Sequence, residues 1–97
     1  MEITKVANGS ALTLALEGRL DTTTAPQLEA EIRNLDGVEA LTIDLDKLVY
    51  ISSAGLRVLL AAQKTMSKQG SMVVINVCAD IMEVFDITGF ADILTIE

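Results

Sequence analysis

The stretch DLDKLVYISSAGLRVLL, residues 44–60, decides the fold. Its first part, with the residues just before it, alternates apolar and polar side chains, which predicts a half-buried strand. Its second part repeats apolar residues on one helical face, which predicts a helix from Ser53 to about Gln69 that Gly70 ends. The strand therefore leads directly into the helix, and Ser52 precedes Ser53 at the junction.

The chain before this stretch predicts a hairpin and then a helix. Residues 1–17 contain the turn dipeptide Asn8-Gly9, and leucines alternate with other residues after it, as in a β-hairpin. A polar connection leads to Thr24, which is predicted to cap the first helix. Gln27 is predicted to close a capping box with it, and residues 36–37 to end that helix.

The chain after this stretch predicts one more helix between two strands. The nearly continuous apolar run 72–77 is typical of a strand buried on both faces. Asp80 is predicted to cap a short helix that ends near Gly89, and residues 93–96 to form a last strand. The order β-β-α-β-α-β-α-β predicts one α/β domain, residues 1–97, with a mixed, largely parallel sheet of about four or five strands.

Composition and charge argue against several classes of function. Fourteen acidic residues against seven basic ones give a net charge of -7, which disfavours nucleic acid and anionic membrane surfaces as partners. No apolar run reaches the roughly 18 residues that a membrane span needs. The chain has one cysteine and no histidine, so the usual general base and the commonest metal ligand are missing. We expect a cytoplasmic monomer or weak dimer that is not an enzyme and holds no metal or cofactor.

The serine pair is the candidate functional site. A serine at a helix start ordinarily caps the backbone N–H groups of the first turn. Three features favour a further role: Ala54-Gly55 would leave the surface beside Ser53 bare, neither Gly55 nor Leu56 can close a capping box, and a phosphate on Ser53 would lie at a helix N-terminus. Arg57 lies one helical turn further on and is placed to contact such a phosphate.

The segment resembles the phosphorylation-site region of the STAS domain family, in particular the bacterial anti-sigma factor antagonists. Those proteins carry Asp-Ser-Ser-Gly-Leu or Asp-Ser-Thr-Gly-Leu, and the first serine after the aspartate accepts phosphate. Ser53 takes the place of that acceptor, Ser52 that of the aspartate and Ala54 that of the second hydroxyl residue. Residues 55–56 match directly, and residues 18–21 resemble the family's Gly-Glu-Leu-Asp.

The resemblance implies a phosphorylation switch. The unphosphorylated domain would bind an anti-sigma factor serine kinase and release the sigma factor. The kinase would then use ATP to phosphorylate Ser53, with Ser52 as the second choice, and a PP2C-type phosphatase would reverse the reaction. The implied contact surface comprises Asp21, Thr22, Thr23, Ser52, Ser53, Ala54, Gly55 and Arg57. The alternative is a non-switching STAS module of a transporter or signalling scaffold, in which Ser53 is only a cap.

Four other side chains have structural interpretations. Asp21 fits an Asx turn as well as it fits a partner contact. Asp44 and Asp46 are two residues apart on a strand, and an exposed strand face explains them more simply than a Mg²⁺ site. Cys78 is expected to be packed as a small apolar residue.

Overall fold

The structure is a computed structural model that describes residues 1–97. A single mixed sheet organises the fold. Its strands are β1 (Glu2–Asn8), β2 (Ala11–Leu20), β3 (Ala40–Ile51) and β4 (Ser71–Ile75), in the spatial order β1-β2-β3-β4. The helices are α1 (Ala25–Ile32), α2 (Ser53–Ser67) and α3 (Ala79–Thr88), and a short 3-10 helix covers Phe90–Asp92. β1 is antiparallel to β2, whereas β2, β3 and β4 are parallel. The predicted α/β fold is confirmed.

The helices cover only one face of the sheet. Leu14, Ile43 and Val74 are aligned across β2, β3 and β4, and all three are fully buried. Their neighbours along the strands point to the opposite face, which no helix covers. The prediction that the last long strand is buried on both faces is therefore wrong: Val73 and Ile75 are half-buried, and β4 ends at Ile75.

The start of the polar connection after β2 differs from the prediction, and so does the end of the helix that follows it. Residues 18–20 belong to β2, because Gly18, Arg19 and Leu20 pair with the end of β3. Two register shifts in that region let the strands stay paired although β3 has extra residues. The following helix is also shorter than predicted, since α1 ends at Ile32 and a turn carries the chain to Gly37.

The C-terminal region corrects three further predictions. Residues 93–96 do not form a strand: a single parallel bridge joins Ile96 to Val74, so the sheet has four strands. Cys78, not Asp80, is the N-cap residue of α3, and Asp80 lies in its first turn. Cys78 is exposed rather than packed, because the chain leaves the sheet before reaching it. The predicted end at Gly89 is confirmed by its left-handed backbone, φ 81°.

Candidate functional site

The parallel pairing of β2 and β3 brings two loops together at the carboxyl edge of the sheet. Leu20 and Ile51 are paired at the strand ends, and the Ser52 N–H donates to the Leu20 carbonyl at 2.9 Å. The loop that begins at Asp21 therefore starts beside the entrance to α2, where Ser53 lies. The two segments of the implied contact surface therefore lie side by side.

The two serines have different roles at this entrance. Ser52 is the N-cap residue with extended backbone, φ -101° and ψ 174°, and its Oγ accepts from the Gly55 N–H at 3.4 Å. Its carbonyl also accepts the first helical bond, from the Leu56 N–H at 3.0 Å. Ser53 is the first residue of α2, is exposed, and its hydroxyl makes no hydrogen bond within the protein. Ser52 thus provides the cap, and the Ser53 hydroxyl is accessible.

The structure shows why residue 55 is a glycine, which the sequence did not reveal. It is buried, and a Cβ at this position would lie 2.6 Å from Leu20 Cγ and 3.0 Å from Ile51 Cγ1. The interpretation that it leaves a bare outer surface is therefore wrong. Its missing side chain allows the first turn of α2 to approach the ends of β2 and β3, while the neighbouring Ala54 is half-buried.

Asp21 organises the loop next to the serines. Its Oδ1 accepts from the Thr23 hydroxyl at 2.7 Å, from the Thr23 N–H at 3.0 Å and from the Thr24 N–H at 3.2 Å. The Thr23 hydroxyl is the main reason why the pKa of Asp21 lies below its ordinary value. Burial, the next largest effect, raises the pKa, and the backbone N–H groups of Thr23 and Thr24 each lower it by a smaller amount. The Asx-turn interpretation is confirmed, and contact with a partner stays a prediction.

The predicted capping box at Thr24 does not form. The Thr24 backbone is in the helical region, φ -103° and ψ -19°, and its side chain makes no capping bond. Its hydroxyl instead donates to the Arg19 carbonyl at 2.8 Å, and the Gln27 side-chain amide donates to the Met1 carbonyl at 3.0 Å. The Asp21 carboxylate accepts from the Thr24 N–H at 3.2 Å, in place of the Gln27 side chain that would accept from it in a capping box.

A shallow groove of about 290 Å³ lies between α1 and α2 and opens beside the serines. Thr22, Pro26 and Glu29 line it from the α1 side, and Ala54, Arg57 and Ala61 from α2. Thr22 and Arg57 are exposed, and no carboxylate lies within 4.0 Å of the Arg57 guanidinium. The walls are mostly small side chains, so the backbone of another molecule can approach closely here.

An exposed apolar and aromatic pair at the end of β3 was missed by the sequence analysis. Val49 is 69% exposed and Tyr50 is 40% exposed, and the Arg19 guanidinium carbon lies 4.1 Å from the centre of the Tyr50 ring. The Arg19 Nε also lies 3.8 Å from Asp21 Oδ2. The only sign of this exposed pair in the sequence is that apolar and polar residues stop alternating strictly after Leu45, in the region of the register shifts.

The remaining candidates do not form a second site. Asp46 is exposed as predicted, whereas Asp44 is half-buried and its Oδ1 accepts from the Asp46 N–H and from the Asn76 side-chain amide, both at 3.0 Å. No group of three or more histidine, cysteine, aspartate or glutamate residues is arranged to hold a metal ion. None of the three helices combines the length and apolar character required to cross a lipid bilayer.

The one-sided mixed sheet and the serine at the entrance of its second helix agree with the STAS fold that the resemblance implied. The model of the STAS domain family matches residues 2–97 of this chain. The chain therefore belongs to the STAS domain family, as the motif at the serines indicated.

Two relatives and one solved structure show which members of the family this chain is similar to. A protein of Bordetella bronchiseptica described as a candidate anti-sigma factor antagonist, BtrV, is 38% identical over 99 residues, covering 99% of this chain and 85% of BtrV. The anti-sigma-B factor antagonist of Bacillus subtilis is 33% identical over 91 residues, covering 92% of this chain and 84% of its own. The phosphorylated form of the Bacillus cell fate determinant SpoIIAA has the same fold, with a TM-score of 0.77 and 17% identity over 99% of this chain and 91% of SpoIIAA.

Proposed function

We propose that this STAS domain is an anti-sigma factor antagonist that is switched off by phosphorylation of Ser53. In its unphosphorylated form it binds an anti-sigma factor serine kinase, which then releases its sigma factor. The kinase uses ATP to phosphorylate Ser53, and a PP2C-type phosphatase restores the binding form. The names of BtrV and of the Bacillus subtilis relative support the antagonist part of the proposal.

The accessible hydroxyl of Ser53 is the observation that carries the proposal. A kinase can reach it without disturbing the fold, because it is exposed and has no partner within the protein. Ser52, in contrast, is half-buried and its hydroxyl accepts from the Gly55 N–H. Phosphorylation of Ser52 would remove or distort the cap of α2, which makes Ser53 the better acceptor.

A phosphate on Ser53 would be tolerated by the folded domain. It adds a charge of about -1.5 to -2, and the N-terminus of α2 favours an anion by on the order of 1 kcal/mol. The free guanidinium of Arg57 lies one turn further along the same helix. The modification therefore acts on the partner: a contact that buries the neutral hydroxyl would have to dehydrate a dianion, which costs several kcal/mol.

The surface around Ser53 fits a protein contact. The Asp21 loop is held by its own hydrogen bonds, so Thr22 and Thr23 are presented without much loss of freedom on binding. Ala54 and Arg57 continue this surface along the groove. Gly55 is buried and would contribute by setting the position of α2 rather than by touching the partner.

Affinity capture from the protein's own cells tests the proposal. The native chain and Ser53→Ala should capture the same anti-sigma factor, and only the native chain should gain one phosphate in intact-mass analysis. Ser53→Asp should weaken binding about tenfold or more, since about 1.4 kcal/mol is sufficient for that change.

Ser10→Asp is the matched control, because Ser10 is also exposed but lies in the turn at the other edge of the sheet. It adds the same charge and should bind as the native chain does. Equal binding by native, Ser53→Ala and Ser53→Asp chains would refute the switch. Capture of a membrane ATPase in place of a kinase would instead support the non-switching module.

A further inference from the structure

The basic side chains of this acidic protein fall into two groups. Four of the seven have a carboxylate within 4.0 Å, in the pairs Lys5–Glu31, Arg19–Asp21, Arg33–Glu29 and Lys47–Glu17. The other three have none: Arg57, Lys64 and Lys68. All three are exposed, and all belong to α2 or to its C-cap residue. We call these three residues the basic ridge.

The ridge continues the line of the candidate phosphorylation site. From Ser53, its members follow at intervals of four, seven and four residues, so all lie on one side of α2. The opposite side carries the core residues Leu59, Ala62 and Met66, which are fully buried. At 1.5 Å per residue, the line from Ser53 to Lys68 is about 22 Å long. It borders the groove between α1 and α2, whose wall includes Ala61.

Helix electrostatics explain only part of the ridge. Lys64 and Lys68 are near the C-terminus of α2, where the helix dipole favours cations. Arg57 lies in the second turn of α2, where the dipole gives a cation no such stabilisation, and Glu29, the acid that lines the groove with it, is paired with Arg33 instead. Its guanidinium is therefore accessible to a group outside the folded chain.

We infer that the basic ridge docks an acidic segment of the protein partner, which lies along α2 with one end at Ser53. The inference rests on the proposed function in one respect, namely that the partner contacts the Ser53 end of α2. Charge complementarity favours a narrow protein segment over an anionic membrane. A flat membrane surface would also meet many of the acids that give the chain its net charge of -7, whereas a narrow segment can follow the ridge and leave most of those acids in solvent.

The ridge also adds a second effect of phosphorylation. A dianion on Ser53 would lie at the end of the ridge and pair with Arg57, the nearest of its three cations. The attraction for an acidic partner would then fall in addition to the cost of dehydrating the phosphate. Lys64→Gln with Lys68→Gln should therefore weaken binding without abolishing the effect of Ser53→Asp.

A titration of isotope-labelled protein with a synthetic glutamate-rich peptide, followed by NMR, tests the inference directly. Amide shifts should be concentrated on the exposed side of α2, and Lys64→Gln with Lys68→Gln should weaken the affinity about fivefold. Lys5→Gln with Lys47→Gln is the control, because it removes the same charge at positions that have carboxylate partners. It should change the affinity less than twofold. Vesicles of phosphatidylglycerol should cause no comparable shifts.

Three outcomes would overturn the inference. They are amide shifts spread evenly around all seven basic residues, an equal loss of peptide affinity in both double variants, and binding to the vesicles in preference to the peptide. With the captured anti-sigma factor, the ridge variant should lower the association rate severalfold at low salt and much less at high salt. This outcome is separate from the test of the switch. If Ser53→Asp binds normally, the proposed function fails, while equal association rates for the two double variants refute only the ridge.

Discussion

Removing the two serine hydroxyls one at a time should show that Ser52 stabilises the fold and that Ser53 does not. Ser52→Ala deletes the acceptor of the Gly55 N–H, and loss of an N-cap typically costs about 0.5–2 kcal/mol. Because this hydrogen bond is long, 3.4 Å, we expect the lower half of that range, about 0.5–1 kcal/mol. For a domain of this size such a loss lowers the Tm by about 3–6 °C.

Ser53→Ala should behave differently although the residue is adjacent. Its hydroxyl makes no internal hydrogen bond, and alanine is a better helix former than serine by up to about 0.5 kcal/mol. The free energy of unfolding should therefore stay the same or rise slightly.

Urea unfolding followed by circular dichroism measures both variants, since the chain has no tryptophan for fluorescence. The slope of the free energy of unfolding against urea should be unchanged in each case. A loss for Ser53→Ala as large as that for Ser52→Ala would show that Ser53 supports the helix, and the reasoning on the site would be refuted.

Three further perturbations test the packing and electrostatics around the helices. Gly70→Ala would place a Cβ onto the Glu39 carbonyl and should cost about 3 kcal/mol in the free energy of unfolding, because the obstacle is backbone. Gly55→Ala should cost about 1 kcal/mol in the same urea assay, since overpacking of about 2 kcal/mol exceeds a gain in helix propensity of about 1 kcal/mol. Thr23→Ala should raise the pKa of Asp21 towards its ordinary value in an NMR titration, because it removes the hydroxyl that contributes most to the lowered pKa. The stability that the native Asp21 provides should be complete above its unfolded pKa and be lost as the pH falls through the lower folded pKa.

For each of these three predictions, one outcome would contradict the structural explanation. A stable Gly70→Ala chain would mean that β3 and β4 can separate at Glu39 without loss. A more stable Gly55→Ala chain would mean that Leu20 can move aside. An unchanged pKa of Asp21 in Thr23→Ala would assign the lowered value to the backbone donors instead.

The strands and the second helix were predictable because their signals are local. Alternation over Leu12–Leu16 and Leu41–Leu45 places every second residue on the face that the helices cover, and this periodicity is visible in the chain itself. The last strand was not predictable in this way. The apolar residues of 93–96 fit a strand, but only one parallel bridge reaches β4 through the carbonyl and N–H of Val74.

The location of the candidate site was predicted from the sequence, but the role of each residue within it was not. Which serine caps α2 depends on the extended ψ of Ser52, and which residue bonds the Thr24 N–H depends on the helical backbone of Thr24. Both are tertiary outcomes that residue types do not reveal. Gly55 shows the same limit, since its contact with Leu20 brings together residues that are far apart in sequence.

The turns at the edge of the sheet opposite Ser53 form a convenient place for attachments. Ser10 accepts from the Glu39 N–H at 2.8 Å through its carbonyl, so its exposed side chain is not needed for that bond. The ten residues of β2 separate this turn from the α2 entrance by roughly 30 Å. A fluorophore or surface linker on Ser10→Cys, with Cys78→Ser to prevent double labelling, would leave the serine end of the molecule free for single-molecule or biosensor measurements.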